Sequence, residues 1–195
     1  MKHRIAIFVS GNGTNAEAIM EYFRDHLSIE VSALLSNNPK AYALERAKKF
    51  GVLHKVFSRE EFSNGEVSNW LSDLRIDYVC LAGFLWLIPD NILKAFPDRI
   101  INIHPALLPK YGGKGMYGIK VHEAVKAGGD TQTGITIHLV NTKYDEGEVL
   151  AQKSVDITPN DSPQDIANKV LALEHKYYPL VIESWINGAT TDIRN

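Results

Sequence analysis

The sequence contains a single cysteine, so no disulfide bond can form within the chain. Cys80 lies in an apolar run, where a buried structural thiol is expected rather than a nucleophile. Neither the histidines nor this cysteine show metal-ligand spacing, and we therefore expect no metal site. The first residues lead into a short strand-like run without a signal-peptide pattern, which favours a cytoplasmic location.

Charge imbalance and long apolar runs are also lacking. The 21 Lys and Arg residues nearly balance the 23 Asp and Glu residues, which gives a net charge of −2. This balance provides no electrostatic reason to expect nucleic acid or a membrane as a partner. No apolar stretch approaches the ~20 residues that span a bilayer. With 195 residues, 45% of them hydrophobic, the chain predicts one globular domain over residues 1–195 and leaves the oligomeric state open.

Strand-like and helix-like segments alternate along the chain. Strands are predicted near residues 4–9, 29–35, 52–56, 78–81, 100–104, 135–140 and 149–155. Helices are predicted near residues 15–23, 41–50, 60–74, 90–95, 119–127 and 162–185, the last bent or broken by Pro179. This alternation predicts parallel βαβ units, but the last two strands share a short loop and must be antiparallel. The expected fold is α/β, a single-domain doubly wound, mostly parallel sheet with an antiparallel edge.

Two polar residues interrupt the apolar strand at residues 100–104, within the string NIHPALLP of residues 102–109. Residues i and i+2 of a strand point to the same face, so Asn102 and His104 are expected side by side. Pro105 ends the strand, and ligands of open α/β sheets bind outside the carboxyl ends of the strands. Asn102 and His104 are therefore a candidate catalytic pair. The alternative is that both are satisfied polar groups that pin a loop.

A glycine-rich turn follows the first strand. Residues 11–16 (GNGTNA) fit the loose dinucleotide pattern GxGxxG/A, in which the backbone approaches an anion at a helix N-terminus. The alternative is a plain tight turn. No acidic residue stands at residues 36–38 to bind a ribose, and no Lys-Ser/Thr follows the glycines. These absences favour a single phosphate over NAD, held by Gly13, Thr14 and Asn15.

The segment YDEGE of residues 144–148 places three carboxylates in one connection. Some are expected to be merely solvated, but one acid beside His104 would hold the imidazolium and raise its pKa. The residues alone do not choose among Asp145, Glu146 and Glu148.

Two further segments have competing interpretations. His138 alternates on a predicted edge strand, where a surface or internally satisfied histidine is expected rather than a site residue. Residues 84–88 (FLWLI) stand between a glycine and a proline, which favours an exposed apolar strip suited to a flat ring. A plain core segment would have the same composition.

Together these motifs carry a resemblance to a known family. They are SGNGTN (residues 10–15), LAGF (81–84), NIHPALLP (102–109), YDEG (144–147) and LEHKYYP (173–179). Over about residues 4–185 the chain resembles the phosphoribosylglycinamide formyltransferase family, folate-dependent enzymes of purine biosynthesis. The resemblance implies a Rossmann-like formyltransferase fold. It also implies transfer of a formyl group from 10-formyltetrahydrofolate to the amine of glycinamide ribonucleotide.

The resemblance also implies roles for individual residues. The implied catalytic residues are Asn102, His104 and Asp145, with Asp145 as the acid that raises the pKa of the histidine. The implied ribonucleotide residues are Gly13, Thr14 and Asn15 for the phosphate and Glu174 for the ribose hydroxyls. The implied folate residues are Arg59, Leu85, Trp86, Leu87, Ile88 and Asn102.

Two departures from the family pattern stand out. Trp86 occupies a position where many members carry arginine, which alters one wall of the folate site. The segment GGKGMYG of residues 112–118 replaces the more usual proline- and histidine-containing segment. We therefore assign no catalytic residue to residues 112–118.

Other functions remain open at this point. Methionyl-tRNA formyltransferase is expected to carry a C-terminal RNA-binding domain and a basic surface, and formyltetrahydrofolate hydrolase an N-terminal regulatory domain. The chain length and the net charge of −2 disfavour both. A non-catalytic nucleotide-binding module on the same fold is a third possibility, since a fold does not determine a function.

Overall fold

The computed structural model describes residues 2–188. Residue 1 and residues 189–195, which the predicted domain includes, lie outside the described part. The strands are β1 (His3–Val9), β2 (Ile29–Ser36), β3 (Leu53–Val56), β4 (Tyr78–Leu81), β5 (Ile100–His104), β6 (Gln132–Leu139) and β7 (Val149–Asp156). The helices are α1 (Thr14–Tyr22), α2 (Ala43–Lys49), α3 (Arg59–Asn64), α4 (Glu66–Asp73), α5 (Asp90–Ala95), α6 (Ile119–Gly128) and α7 (Pro163–Ile186).

The seven strands form one sheet in the order β3-β2-β1-β4-β5-β6-β7. Strands β1 to β5 are parallel to one another, while β6 runs antiparallel to both β5 and β7. The predicted mostly parallel sheet with an antiparallel edge is confirmed. The strand order reverses between β1 and β4, and a doubly wound sheet binds its ligands at the carboxyl ends of the strands beside such a reversal.

Separate apolar cores cover the two faces of the sheet. On β1, Ile5, Ile7 and Val9 point to one face, and Ala6 and Phe8 point to the other. The first face packs against α1, α2, α6 and α7, and the second against α3, α4 and α5. Because both faces are covered, the central strands are apolar on both sides, as a parallel sheet requires.

Two sequence-based expectations about elements are wrong, and of the bend or break expected at Pro179 the break does not occur. The helix predicted over residues 60–74 is two helices, because Gly65 adopts a left-handed φ of 99° that ends α3 and begins α4. Pro179 does not break α7, which runs unbroken to residue 186. Tyr178, Pro179 and Ile182 are buried there, and this packing offsets the missing backbone hydrogen bond. His138 does not lie on an edge strand, since β7 covers β6.

Candidate active site

A cavity of about 720 Å³ opens at the carboxyl ends of β4 and β5. Its walls are the loop after β4, the glycine-rich loop of residues 113–118, the loop before β7 and one side of α7. The loops after β1 and β4 are joined, because Ser10 N–H donates to Gly83 O at 3.1 Å and Leu85 N–H donates to Ser10 Oγ at 3.0 Å. The cavity therefore lies beside the reversal of strand order.

Four polar side chains meet in this cavity. Strands β5 and β6 pair in a register that sets Asn102 opposite His138, and the Asn102 amide Nδ2 lies 3.1 Å from His138 Nε2. The Asp145 carboxylate lies between two imidazoles. Its Oδ2 is 3.5 Å from His104 Nδ1, and its Oδ1 is 3.6 Å from His138 Nε2. The structure thus brings Asn102, His104 and Asp145 together and adds His138.

The three carboxylates of residues 144–148 occupy different environments. Asp145 lines the cavity and is largely buried. Glu146 is exposed and pairs with Lys143 at 2.9 Å, and Glu148 is also exposed. Geometry therefore selects Asp145, a choice that the sequence alone left open.

Main-chain carbonyls fix the protonated nitrogen of both histidines. His104 Nε2–H donates to Tyr111 O at 2.8 Å, and His138 Nδ1–H donates to Leu139 O at 2.8 Å. A carbonyl oxygen only accepts, so the other nitrogen of each neutral ring carries a lone pair. These two nitrogens, His104 Nδ1 and His138 Nε2, are the ones beside Asp145. Protonation of either ring would therefore create an N–H group next to the Asp145 carboxylate.

Burial governs the ionisation of His104, which is 3% exposed. Burial lowers the pKa of His104 more than the Asp145 charge and the Tyr111 carbonyl raise it, so the net pKa lies below its ordinary value. The imidazole is therefore neutral in the free protein at neutral pH. The expected effect of the acid is present, but the expectation of a raised pKa is wrong because desolvation of the cation is larger.

Asp145 is held as an anion by its neighbours. Burial raises the pKa of Asp145. The hydrogen bond with His138, the charge of His104 and the Gly113 backbone N–H together lower it by more, so the net pKa lies below its ordinary value. Gly113 N–H donates to Asp145 Oδ2 at 2.8 Å. Asp145 also adopts a positive φ of 56°, a conformation that aspartate tolerates better than most residues. The glycine-rich loop and the loop before β7 thus hold the carboxylate from two sides.

The turn after β1 supplies a second polar region. Gly13 has φ of 75° and precedes α1, whose first backbone N–H groups have no helical partner. A Cβ at Gly13 would lie 2.4 Å from Ala43 Cβ, so α2 packs directly on this turn. Of Gly13, Thr14 and Asn15, only Asn15 lines the cavity. The Arg46 guanidinium on α2 donates to the Asn12 carbonyl of this turn at 2.9 Å.

Asn15 and Glu174 connect this turn to α7. Asn15 Nδ2 donates to Glu174 Oε2 at 2.9 Å, whereas the buried Asn15 Oδ1 has no partner within residues 2–188. Glu174 lines the cavity and is 8% exposed. Burial raises the pKa of Glu174 to about 7, although the Asn15 hydrogen bond lowers it. The two residues predicted to bind the phosphate and the ribose are therefore hydrogen-bonded to each other.

The apolar strip forms the opposite wall of the cavity. The strip is half exposed at Leu85 and Leu87, while Ile88 is buried in the core. Trp86 lines the cavity, and the Arg59 guanidinium carbon lies 4.2 Å from the centre of its ring. Arg59 itself does not line the cavity. Both competing interpretations of the strip are thus partly right, because it joins the core and faces the cavity.

Sequence reasoning missed two buried histidines of the cavity, His122 and His138. His138 could have been found from the pairing register, since it stands opposite Asn102 once β5 and β6 are paired. For His122 the signal is its burial on the inner side of α6 together with Val121 and Val125.

Residues 2–188 contain neither a metal-ligand cluster nor a membrane-spanning helix. No group of three or more His, Cys, Asp or Glu side chains in this part of the chain could hold a metal ion. No helix among the described residues is long and apolar enough to cross a membrane.

The sheet and the cluster define a Rossmann-like α/β protein with an acid–base site at the carboxyl ends of its strands. Its polar groups suit acyl-type chemistry, in which a negative charge and a proton have to be handled together. The chain belongs to the formyl transferase family, which it matches over residues 3–182.

Known proteins from several organisms are similar to this chain. The chain is 44% identical over 188 residues to the chloroplastic phosphoribosylglycinamide formyltransferase of Arabidopsis thaliana, covering 93% of this chain and 64% of that protein. It is 34% identical to the phosphoribosylglycinamide formyltransferase of Haemophilus influenzae, covering 95% and 88%. The crystal structure of glycinamide ribonucleotide transformylase 1 from Symbiobacterium toebii matches with a TM-score of 0.88 at 32% identity, covering 96% and 89%. The chain thus spans less than two thirds of the plant relative.

Proposed function

We propose that this protein transfers the formyl group of 10-formyltetrahydrofolate to the amine of glycinamide ribonucleotide, a step of purine biosynthesis. The observation that carries the proposal is the position of the Asp145 carboxylate between His104 and His138, beside Asn102 in one cavity. The names of the relatives support the same reaction.

The two walls of the cavity suit the two substrates. The half-exposed strip of residues 85–88 offers apolar side chains and backbone groups to a flat pterin ring. Across the cavity, Asn15 and Glu174 offer polar atoms to a ribose, and the α1 N-terminus next to Asn15 suits a phosphate. The orphaned Asn15 Oδ1 supports a polar ligand on this side, because a buried acceptor without a partner is costly. Arg59 would support the folate site through its stack on Trp86.

The amide of Asn102 would stabilise the charge that develops on the formyl oxygen. One Asn102 N–H faces His138 Nε2, which leaves the second N–H free for an oxyanion. The substrate amine attacks the formyl carbon, a C–N bond forms, and the carbonyl π electrons move to oxygen. A donor already fixed in place stabilises that oxygen without reorganisation during the reaction.

His104 would carry the proton between the two substrate nitrogens. Its neutral Nδ1 accepts one proton from the nitrogen that attacked, and the resulting imidazolium is stabilised by Asp145. The same proton then passes to the folate nitrogen as its bond to the formyl carbon breaks and the carbonyl re-forms. The charge on His104 thus arises during the reaction, since the ring is neutral in the free protein.

The absorbance change of the folate on loss of its formyl group tests this proposal. We expect the change only when 10-formyltetrahydrofolate and glycinamide ribonucleotide are both present. A change with the folate alone would indicate a hydrolase, and a change that requires methionyl-tRNA would indicate the tRNA-directed enzyme. No absorbance change under any of these conditions would indicate a non-catalytic nucleotide-binding module.

The remaining partner and location proposals rest on charge and on cysteine usage. The net charge of −2 gives no reason to propose nucleic acid or a membrane as a partner, and we propose the two small molecules only. The free, buried Cys80 suits a reducing cytoplasm.

A further inference from the structure

His122 is a buried cavity residue that the proposed mechanism does not use. It lies near the start of α6, lines the cavity together with His104, and is 5% exposed. Its Nδ1 is buried and has no hydrogen-bond partner within residues 2–188. Nearly all buried polar groups in native proteins have a partner, so an orphaned imidazole nitrogen in a cavity-lining residue points to a partner supplied by a ligand.

The position of His122 assigns it to one side of the cavity. Helix α6 packs against α7, and both cover the same face of the sheet. The apolar strip instead packs into the core of the opposite face through Phe84 and Ile88. His122 therefore belongs to the side on which Asn15 and Glu174 line the cavity, rather than to the strip.

The charge of His122 narrows the chemistry of its partner. Burial, and secondly the charge of His104, lower the pKa of His122 to about 4. The ring is therefore neutral at neutral pH and offers one donor and one acceptor. Such a ring suits a neutral polar group better than a phosphate. Because it carries no charge, it does not change the protonation of a nearby amine.

We propose that His122 binds the amide of glycinamide ribonucleotide through Nδ1 and thereby directs the substrate amine at the formyl carbon. That amide joins the reactive amine to the ribose, so it has to pass between His104 and Glu174 in the proposed binding mode. Because Nδ1 is buried in the present ring orientation, the contact requires a half-turn of the ring about its Cβ–Cγ bond, which exchanges Nδ1 with Cδ2. The inference rests on the proposed function.

Two variants test the contact by kinetics. His122→Leu keeps an apolar bulk and removes both nitrogens, whereas His122→Asn keeps a donor and an acceptor near the position of Nδ1. We expect His122→Leu to raise the KM for the ribonucleotide about 10-fold, equivalent to about 1.4 kcal/mol, with little change in the KM for the formyl donor. His122→Asn should recover most of the loss. Glu123→Gln, an exposed change on the same helix, is the control.

Thermal unfolding separates ligand binding from a structural role. Removing an orphaned polar group should leave the ligand-free His122→Leu protein with an equal or higher Tm. The rise in Tm caused by the ribonucleotide should shrink in the same variant. A lower Tm without ligand, combined with an undiminished ligand-induced rise, would mean that the histidine is structural. If His122→Leu does not fold, calorimetric Kd values of His122→Asn and the unmodified protein for the ribonucleotide give the comparison.

Free glycinamide locates the contact within the substrate. It carries the amine and the amide but neither ribose nor phosphate, so His122→Leu should reduce kcat/KM for glycinamide by about the same factor as for the ribonucleotide. A loss seen only with the ribonucleotide would overturn the assignment to the amide. Unchanged kinetics of both variants would overturn the role of His122 altogether. An unmodified protein that formylates neither acceptor would instead refute the proposed function.

Discussion

At the scale of single residues, the site depends on which nitrogen of each ring carries a proton. Two main-chain carbonyls, those of Tyr111 and Leu139, decide this for His104 and His138. Substitutions of the Tyr111 or Leu139 side chain leave those carbonyls in place. The position of the lone pair that faces Asp145 is therefore set by the backbone, and only protonation or loss of the ring removes it.

Substitutions of His104 and Asp145 should reduce the activity of the protein in a non-additive way. Removal of a positioned acid–base group typically costs on the order of 10²–10⁴ in rate, so His104→Ala and Asp145→Ala should each fall in that range, mostly in kcat. The double variant should be little slower than the slower single variant, because the carboxylate acts through the imidazole. Steady-state kinetics of all three variants measure the coupling. Glu146→Gln is the control, and fully additive losses would contradict the shared role.

The pH profile of Asp145→Asn should report the charge of His104 in the free enzyme. Burial lowers the pKa of His104 and the Asp145 charge raises it, so loss of that charge lowers the pKa further. If the neutral ring starts the reaction, kcat/KM falls on the acid side, where His104 becomes protonated. We expect this acid limb to move to lower pH in Asp145→Asn, at a reduced maximum. An alkaline limb that moved to lower pH would show that the reaction starts from the imidazolium.

The candidate catalytic residues were predictable from the sequence to different degrees. Alternation along one strand was enough to set Asn102 beside His104. The choice of Asp145 required either the family resemblance or the structure, because a loop of three acids has no periodicity to separate them. The neutral charge of His104 was not predictable, since it depends on how many groups bury the ring.

At the scale of elements, the turn from β1 into α1 is set by close packing on α2. Gly13 combines a φ of 75°, which strains a residue with a Cβ, with the approach of Ala43, against which a Cβ would clash at 2.4 Å. A bulky residue such as valine would therefore distort the turn itself, beyond blocking the approach of an anion.

Gly13→Ala should accordingly weaken ribonucleotide binding and stability together. The left-handed conformation costs a residue with a Cβ roughly 1–2 kcal/mol, and the contact with Ala43 adds to this. We expect a raised KM for the ribonucleotide, an unchanged KM for the formyl donor and a lower Tm. Gly11→Ala is the matched control, because its Cβ would meet no atom within 4 Å. A weakened folate site with intact ribonucleotide binding would mean that the two sites are reversed.

Most elements followed from local sequence patterns, and the exceptions have identifiable causes. Gly65 was hidden inside a helix-like composition, although its left-handed conformation divides α3 from α4. Pro179 indicated a break that burial of α7 prevents. The interior position of His138 depends on strand order, which local patterns do not encode.

At the scale of the whole molecule, Glu174 should make stability depend on pH. Its pKa is about 7 in the folded protein and near its ordinary value of 4.5 in the unfolded protein, so the folded state keeps a proton that the unfolded state releases. This contribution to stability is complete below pH 4.5 and is lost by about pH 7, a loss of about 3 kcal/mol. Glu174→Gln should flatten the free energy of unfolding, measured in urea, over that range. Glu148→Gln is the exposed control, and an unaltered pH slope in Glu174→Gln would contradict the raised pKa.

The carboxyl edge of the sheet also predicts that the protein does not bind dinucleotides. The carboxyl end of β2 carries no acid for a ribose, as Ser36 there is followed by two asparagines. Calorimetry should therefore detect no specific binding of NAD or NADP at micromolar concentrations. Micromolar binding of either would contradict the single-phosphate interpretation of the turn after β1.

The hydrogen bond between Asn15 and Glu174 joins positions 159 residues apart in the chain. On the ribosome, Asn15 in the turn after β1 is made 159 residues before its partner on α7. A nascent chain therefore lacks the Asn15–Glu174 pair until α7 has been synthesised. Substrate can begin to stabilise the protein only once α7 has been made and docked, so early intermediates have to persist without help from ligand.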